Sequence, residues 1–392
     1  MSKWLNDQIN DKMVNDQMVN NLRASACQLL EDNILRFWAD RMYDPEGGFY
    51  GRMDGTNSLH PDAERGAVMN ARLLWTFAAA YRVLRKPEYL QMATHAKQYI
   101  CARFLDKEHG GCYWSVTADG QPLDTHKQIY ALSFMIYAFA EYNRATGDTH
   151  ALQTAVELFL LIEQHGRDRV HGGYIEATAR DWSPIADMRL SDKDENTVKS
   201  QNTNLHVLEA YTNLYRVWPT DELKEALNTL IDTFETRIIL PSGHLGLFFD
   251  MQWHPTNVHF SAGHDIEFSW LLDEAAAVIG RNCDHTVRLL ASAAETDLHP
   301  DGSLGEPEWW VTAEAVVGFI NLYQHFNDDD ARTRALRAWH FICSNLVDWE
   351  HGEWYWAILP DGTPDTVNDK AGFWKCPYHN SRMCLELIER LR

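Results

Sequence analysis

Clusters of glycine and aromatic residues recur along this chain at a spacing that few folds accommodate. Gly47-Gly48-Phe49-Tyr50, Gly110-Gly111-Cys112-Tyr113-Trp114 and Gly172-Gly173-Tyr174 open the series. Gly246-Leu247-Phe248-Phe249 and Gly352-Glu353-Trp354-Tyr355-Trp356 continue it more loosely. The first clusters stand roughly sixty residues apart, a period of stacked supersecondary units. Three Asp-Gly pairs, Asp54-Gly55, Asp119-Gly120 and Asp361-Gly362, follow clusters closely. Both residue types tolerate the backbone of tight turns, so an aromatic strand running into Asp-Gly reads as a short β-hairpin.

Between these loops the apolar residues recur at helical spacing. The pattern predicts twelve helices, near 18–42, 66–85, 88–104, 127–146, 148–165, 199–217, 220–238, 264–280, 283–297, 309–326, 329–346 and 374–391. Helix pairs repeated six times fit an all-α fold, the (α/α)6 barrel, with short β-hairpins in the connecting loops. A helical solenoid is the alternative. Repeat folds escape the usual size limit, so residues 1–392 are expected to form one catalytic domain. The fourth helix, Ile129 to Ala140, is apolar almost all round and must be buried on nearly every side. The tenth, Val311 to Phe319, is similar, whereas the odd-numbered helices carry the charges. The even-numbered helices therefore read as an inner ring.

The sixth helix carries a second signal. Leu205, Leu208, Tyr211, Leu214 and Tyr215 form its apolar face, and Ser200 or Asn202 is placed to cap its start. Its other stripe is Asn202, His206, Glu209 and Asn213, spaced three and four apart on one face. No Lys or Arg stands between Ser200 and Arg216, unlike a solvated face, so the stripe reads as the wall of a polar pocket. Comparable residues open the other even helices. They are Arg72 on the second, Tyr130 on the fourth, His264 and Glu267 on the eighth, Trp309 and Trp310 on the tenth, and Trp374 and His379 on the twelfth. Each has an ordinary explanation as core or capping group. A barrel would bring them to one mouth, where helix dipoles favour a developing oxyanion.

The formal charge of −21 argues against nucleic acid or an anionic membrane as partner. No run of 18 apolar residues is present, and Met1 to Gln8 has no apolar core of signal-peptide type. Seven cysteines without a C-x-x-C pair suggest reduced thiols in a cytoplasm. Fifteen tryptophans exceed what a core needs and suit a sugar-binding cleft, so the expected partner is a small neutral sugar. His264 and Glu267 are spaced as a helical ligand pair, but no H-E-x-x-H or Cys-rich set accompanies them, so no metal is expected. Neither a serine-nucleophile motif nor a phosphate-binding glycine loop occurs. The expected assembly is a monomer or homodimer.

Three segments carry a family resemblance: Asn202 to Arg216, Gly263-His264-Asp265-Ile266-Glu267, and Trp374-Lys375-Cys376-Pro377-Tyr378-His379-Asn380. They resemble those of the cellobiose 2-epimerases, within the N-acylglucosamine 2-epimerase superfamily, and the likeness runs from about Asn33 to the C-terminus. It implies an (α/α)6 barrel, no cofactor, and inversion at carbon 2 of a reducing-end aldose: cellobiose to glucosyl-mannose, lactose to epilactose. Removing a proton beside an aldehyde needs a base near neutrality, which imidazole supplies, and inversion needs a second acid-base group across a planar enediolate. By resemblance His264 and His379 are that pair, and Arg72 and His206 hold the carbonyl and enediolate oxygens. Glu267 would orient a histidine or bind a sugar hydroxyl. Tyr130, Asn202, Trp309, Trp310 and Trp374 would bind the reacting sugar. The sequence departs from the family's usual residues at Asn204, Phe268 and Thr312, beside the catalytic positions, where a change in sugar preference would originate. The alternatives are an epimerase or isomerase acting on mannose or an N-acylglucosamine, and a glycan-binding protein without turnover. A glycoside hydrolase would need a second carboxylate opposite Glu267, to be sought among Asp187, Glu209 and Glu314.

Overall fold

Helices buried on nearly every side have to be enclosed, and here six of them enclose one another. In the computed structural model, which describes residues 21–392, these are α2 (Ala67–Leu84), α4 (Ile129–Thr146), α6 (Gln201–Tyr215), α8 (Ala262–Ile279), α10 (Trp309–Phe326) and α12 (His379–Arg390). Each touches the next in that order, and α12 packs back onto α2, which closes the ring. The outer layer is α1 (21–42), α3 (Pro87–Tyr99), α5 (Thr149–Leu161), α7 (Asp221–Thr233), α9 (Asp284–Ala294) and α11 (Asp329–Phe341). α3, α5, α7, α9 and α11 each pack on the inner helix before them, and α1 covers α12. This is an (α/α)6 barrel; a solenoid would leave its end helices apart. The inner helices pack tightly: a Cβ on Gly318 of α10 would lie 2.5 Å from the Ile266 side chain of α8. Residues 18–20 of the first expected helix and the Met1 to Gln8 reading lie outside the described residues. Among the described residues no helix is long and apolar enough to cross a membrane.

Local chemistry sets the ends. The Ser200 and Ser261 hydroxyls accept N–H groups in the first turns of α6 and α8, so Ser200 rather than Asn202 is the cap. α3, α5, α7 and α11 each run on into a five-residue π-helical turn, which accounts for the longer segments their periodicity predicts. The twelfth helix is corrected most. It begins at His379, not 374, because Pro377 disfavours helical backbone at Cys376 before it. Lys199 and Ser200, expected in the sixth helix, form a strand pairing with Phe248–Phe249.

After each outer helix the chain makes one short loop closed by an antiparallel bridge, such as Leu105 with Cys112 and Arg167 with Tyr174. The fifth loop, closed by Leu298 and Leu304, lacks an aromatic after Gly302 and so is not counted by the glycine-aromatic pattern. The Asp-Gly hairpins also form: Ser115–Val116 pairs with Pro122–Asp124 around Gly120, whose φ is +82°.

These loops are fastened by charge. Asp44, Asp106, Asp168 and Asp348, each following an outer helix, accept the backbone N–H two residues on. They also bind Arg65, Lys127, Lys199 and Lys370, which precede inner helices. The loop of one repeat is thereby pinned to the start of the next inner helix. After α7 the polarity reverses: His244 in the loop binds Asp265 of α8 at 2.7 Å. Lys127 and Asp106 are wholly buried at 2.8 Å, and removing one member of such a pair strands the other. Glu176 is the exception without a cation. It accepts Ser200 N and Thr203 Oγ1, both at 2.7 Å, and burial pushes its carboxyl up to about 7.

Asp106→Ala should therefore cost about 3–5 kcal/mol in urea unfolding, because Lys127 loses its buried partner; a cost below about 1 kcal/mol would contradict the pinning. Glu176 behaves oppositely. Its folded pKa lies above the unfolded 4.5, so the stability it contributes when protonated is lost as pH rises through about 7. Glu176→Gln does not titrate, and its unfolding free energy relative to the parent should rise by about 2 kcal/mol between pH 5 and pH 8.

Candidate active site

The Ser200 cap sets the phase of α6, so Asn202 and His206, one turn apart, face the barrel axis. At that end lies a cavity of about 190 Å³. It is lined by Arg72, Tyr130, Asn202, His206, His264, Glu267, Trp309, Trp310, Trp374 and His379, together with Trp356. The ten residues singled out in the sequence thus share one chamber. Trp356 had been read only as part of a glycine-aromatic loop. Its indole and that of Trp310 donate to the two oxygens of Glu308, at 3.4 and 2.7 Å, which holds the two rings together. Lower on the stripe, Asn213 leaves the cavity and binds Arg144, Glu141 and the Tyr137 carbonyl near the far end of the barrel.

The three histidines differ in their support. His206 Nδ1 lies 2.8 Å from Glu209 and His379 Nδ1 lies 2.7 Å from Glu314. Burial raises the Glu314 carboxyl, but its two oxygens already receive the Arg382 guanidinium at 2.6 Å and the Trp270 indole at 3.0 Å, and Glu209 receives Arg382, so both side chains act as acceptors; each Nδ1 then carries the proton and each Nε2 keeps its lone pair. Burial works to raise the Glu209 carboxyl, but Arg382 beside it prevails and holds it down to about 2. His264 has no carboxylate, its buried Nδ1 has no partner, and burial pushes its imidazole down to about 3. Burial also lowers His206 and His379, so all three rings are neutral at neutral pH. The rings of His264 and His379 both contact the Trp310 indole, at 4.8 and 5.6 Å between centroids.

Arg72 provides the positive charge. It donates to the Tyr130 hydroxyl at 2.9 Å and to the Trp374 carbonyl at 3.4 Å, between the rings of Phe134 and Tyr378. None of its ion-pair contacts among the described residues is with a carboxylate, so its charge is left for what enters the cavity.

Glu267 lines the cavity, where it could meet a sugar hydroxyl, but it is not the carboxylate that orients a histidine. Its Oε1 is 3.8 Å from His379 Nδ1 but 2.5 Å from the Arg382 guanidinium, and the carboxylate that orients His379 is Glu314. Burial, with Glu314 next in effect, pushes the Glu267 carboxyl up to about 8. Glu209, Glu314, Tyr378 and Arg382 surround the histidines from beneath; the sequence places Glu209 in the polar stripe and offers both glutamates as hydrolase alternatives, but assigns none of the four a part in epimerisation. Their signal was helical spacing, since Glu314 lies four after Trp310 and Arg382 three after His379. Glu209 and Glu314 are committed to Arg382 and the histidines, and Asp187 is an exposed partner of Arg189, so Glu267 gains no free carboxylate opposite it for glycoside hydrolysis. Ligand atoms of Glu267, Glu314 and His379 lie within 4.8 Å of one another, a metal-like set, but the Arg382 guanidinium already donates to both acidic side chains.

The three departures from the family pattern do not line the cavity. Asn204 holds the glycine loop through Tyr174 N and O, at 2.8 and 3.1 Å. Phe268 stacks on Phe234 beyond the inner ring at 3.9 Å, and Thr312 is buried against the Glu308 carbonyl. They follow the cavity residues in sequence, yet a helix turns them to its other faces. An origin for altered sugar preference is therefore not found in direct contact from these positions.

Known proteins share this arrangement. The sequence pattern of the N-acylglucosamine 2-epimerase (GlcNAc 2-epimerase) family matches residues 48–303. A cellobiose 2-epimerase of Bacteroides fragilis is 49% identical, covering 94% of this chain and 98% of its own. One from Ruminococcus albus is 37% identical over 93% of this chain and 97% of its own. The solved structure of cellobiose 2-epimerase from Bacillus thermoamylovorans superposes with a TM-score of 0.91 at 40% identity, covering 95% of this chain and all of that one. With the family pattern spanning well over half of the sequence and the closed ring of helices reproduced, this chain belongs to the N-acylglucosamine 2-epimerase family.

Proposed function

We propose that the cavity inverts carbon 2 of the reducing-end glucose of β-1,4-linked disaccharides, converting cellobiose to glucosyl-mannose and lactose to epilactose. The observation that carries this reading is the pair of neutral imidazoles, His264 and His379, packed against one Trp310 ring beside an arginine that has no carboxylate partner among the described residues. The curated relatives named cellobiose 2-epimerase support the choice of substrate.

The proton ledger runs through protein groups and water. As the pyranose ring opens, the carbon-1 hydroxyl passes its proton to His264 and the ring oxygen takes one from water. The Nε2 lone pair of His379 then removes the proton from carbon 2, and the electron pair moves into the carbon 1–carbon 2 bond. Charge collects on the carbon-1 oxygen, facing the Arg72 guanidinium, where a desolvated donor is most effective. His206, a lone-pair acceptor at Nε2, receives the carbon-2 hydroxyl. His264 returns its proton to carbon 2 from the other face, which inverts the centre. Ring closure passes the His379 proton to the carbon-1 oxygen and the ring-oxygen proton to water. Tyr130, Asn202, Trp309, Trp310 and Trp374 hold the sugar, their faces suited to its C–H surface. Residence in a reducing cytoplasm fits the seven unpaired cysteines.

Cellobiose and lactose should be epimerised by purified protein, with deuterium from heavy water appearing at carbon 2; sugar bound without exchange would mark a lectin. Turnover of mannose with cellobiose untouched would overturn the substrate assignment. His264→Asn and His379→Asn should each lower kcat about 100-fold or more in folded protein. Retention of more than about a tenth of parental activity by either would remove that residue from the proton ledger.

A further inference from the structure

One arginine stands behind two of the three imidazoles. Arg382, in the first turn of α12, is 1% exposed and does not border the cavity. Its Nη1 donates to Glu209 and to the Tyr378 hydroxyl. Its Nη2 donates to Glu267 at 2.5 Å and Glu314 at 2.6 Å. The rings of Trp270 and Tyr378 lie 4.8 and 4.4 Å from the guanidinium carbon. The second oxygen of Glu209 receives His206 Nδ1, and Glu314 receives His379 Nδ1. An unbroken buried chain, His206–Glu209–Arg382–Glu314–His379, therefore crosses three inner helices.

The charge around this chain is unbalanced without Arg382. Three buried acidic side chains, from α6, α8 and α10, meet at one guanidinium, and with the Glu267 carboxyl pushed up to about 8 the charges it has to match are those of Glu209 and Glu314. The next cation is Arg72 of α2, which bonds to Tyr130 and not to these carboxylates. The remaining titratable neighbours, Tyr130 and Tyr137 of α4, His264 of α8, and Tyr378 and Cys376 before α12, are held neutral by burial. A buried carboxylate deprived of its cation takes up a proton. Protonated Glu314 would donate its O–H to His379 Nδ1, forcing the imidazole proton onto Nε2. The lone pair would then be lost from the cavity.

We propose that Arg382 is a positioning residue for epimerisation: it keeps Glu209 and Glu314 ionised and so holds His206 and His379 in the tautomer whose Nε2 lone pair faces the sugar. This inference rests on the epimerase reading for its consequence in turnover, but the tautomers themselves are independent of it. Nitrogen-15 NMR of the unliganded protein, with histidines assigned by substitution, should show both rings protonated at Nδ1 and bare at Nε2 near pH 7.5. A neutral ring protonated at Nε2 at either position would overturn the proposal. The expected tautomers would support it even in a protein that turns over none of the sugars, a result that sinks the epimerase reading alone.

Arg382→Met should lower kcat by about 100-fold with KM changed less than about threefold. The acid limb of its kcat profile should move up by about one pH unit or more, since the carboxylates now need a higher pH to ionise. Arg382→Lys keeps the charge, so its limb should stay within about half a unit and its kcat should recover at least about tenfold over the Met variant. A purely structural arginine would lower the amount of folded protein and leave the limb in place. An unmoved limb in folded Arg382→Met overturns the proposal; should that variant not fold, the tautomers decide.

Discussion

Closure of the inner ring is the constraint on which the rest depends. Six helices that are buried on almost every side surround one another, and α12 meeting α2 completes the enclosure. Once closed, the ring brings residues from the first turns of its helices to one mouth. Residues as distant in sequence as Arg72 and His379 line one cavity for that reason. The outer helices and their loops hold the ring in register through buried acid–base pairs after α1, α3, α5 and α11 that join one repeat to the next.

The axis of the ring is polar, which such a core tolerates only when every charge is matched. Arg382 meets that demand by serving Glu209 and Glu314, which orient histidines, together with Glu267, whose carboxyl burial pushes up to about 8. Stability and chemistry are thus tied at one point: the carboxylates that would be costly to bury alone are those that set the imidazole protons. Arg72 is the counterpart at the cavity surface, with aromatic rings rather than carboxylates about its guanidinium. Its field is left for a developing oxyanion.

Much of this was legible in the linear pattern because helical spacing is local. The Asn202–His206–Glu209 stripe lacks lysine and arginine, and the structure turns it inward for the reason the pattern implies. Where the reading failed, the deciding contact was remote or the local rule was overlooked. Pro377 is a local signal, and it starts α12 at His379. Glu267 sits near the histidines in sequence pattern, yet Arg382 claims it and Glu314 takes the orienting position, a choice made between helices 47 residues or more apart. Asn204, Phe268 and Thr312 adjoin cavity residues along the chain but point away, since neighbours on a helix diverge by about 100°.

The sequence by itself determined the twelve helices, their alternation of buried and charged faces, and the set of polar and aromatic residues at the inner helix starts. Periodicity and residue chemistry carry that information, and both act over a few residues. Only the tertiary structure decided which carboxylate serves which histidine, that Trp356 joins the cavity, and that one guanidinium lies beneath two imidazoles. Those relations depend on distances between helices, which exist only after hydrophobic burial has closed the ring.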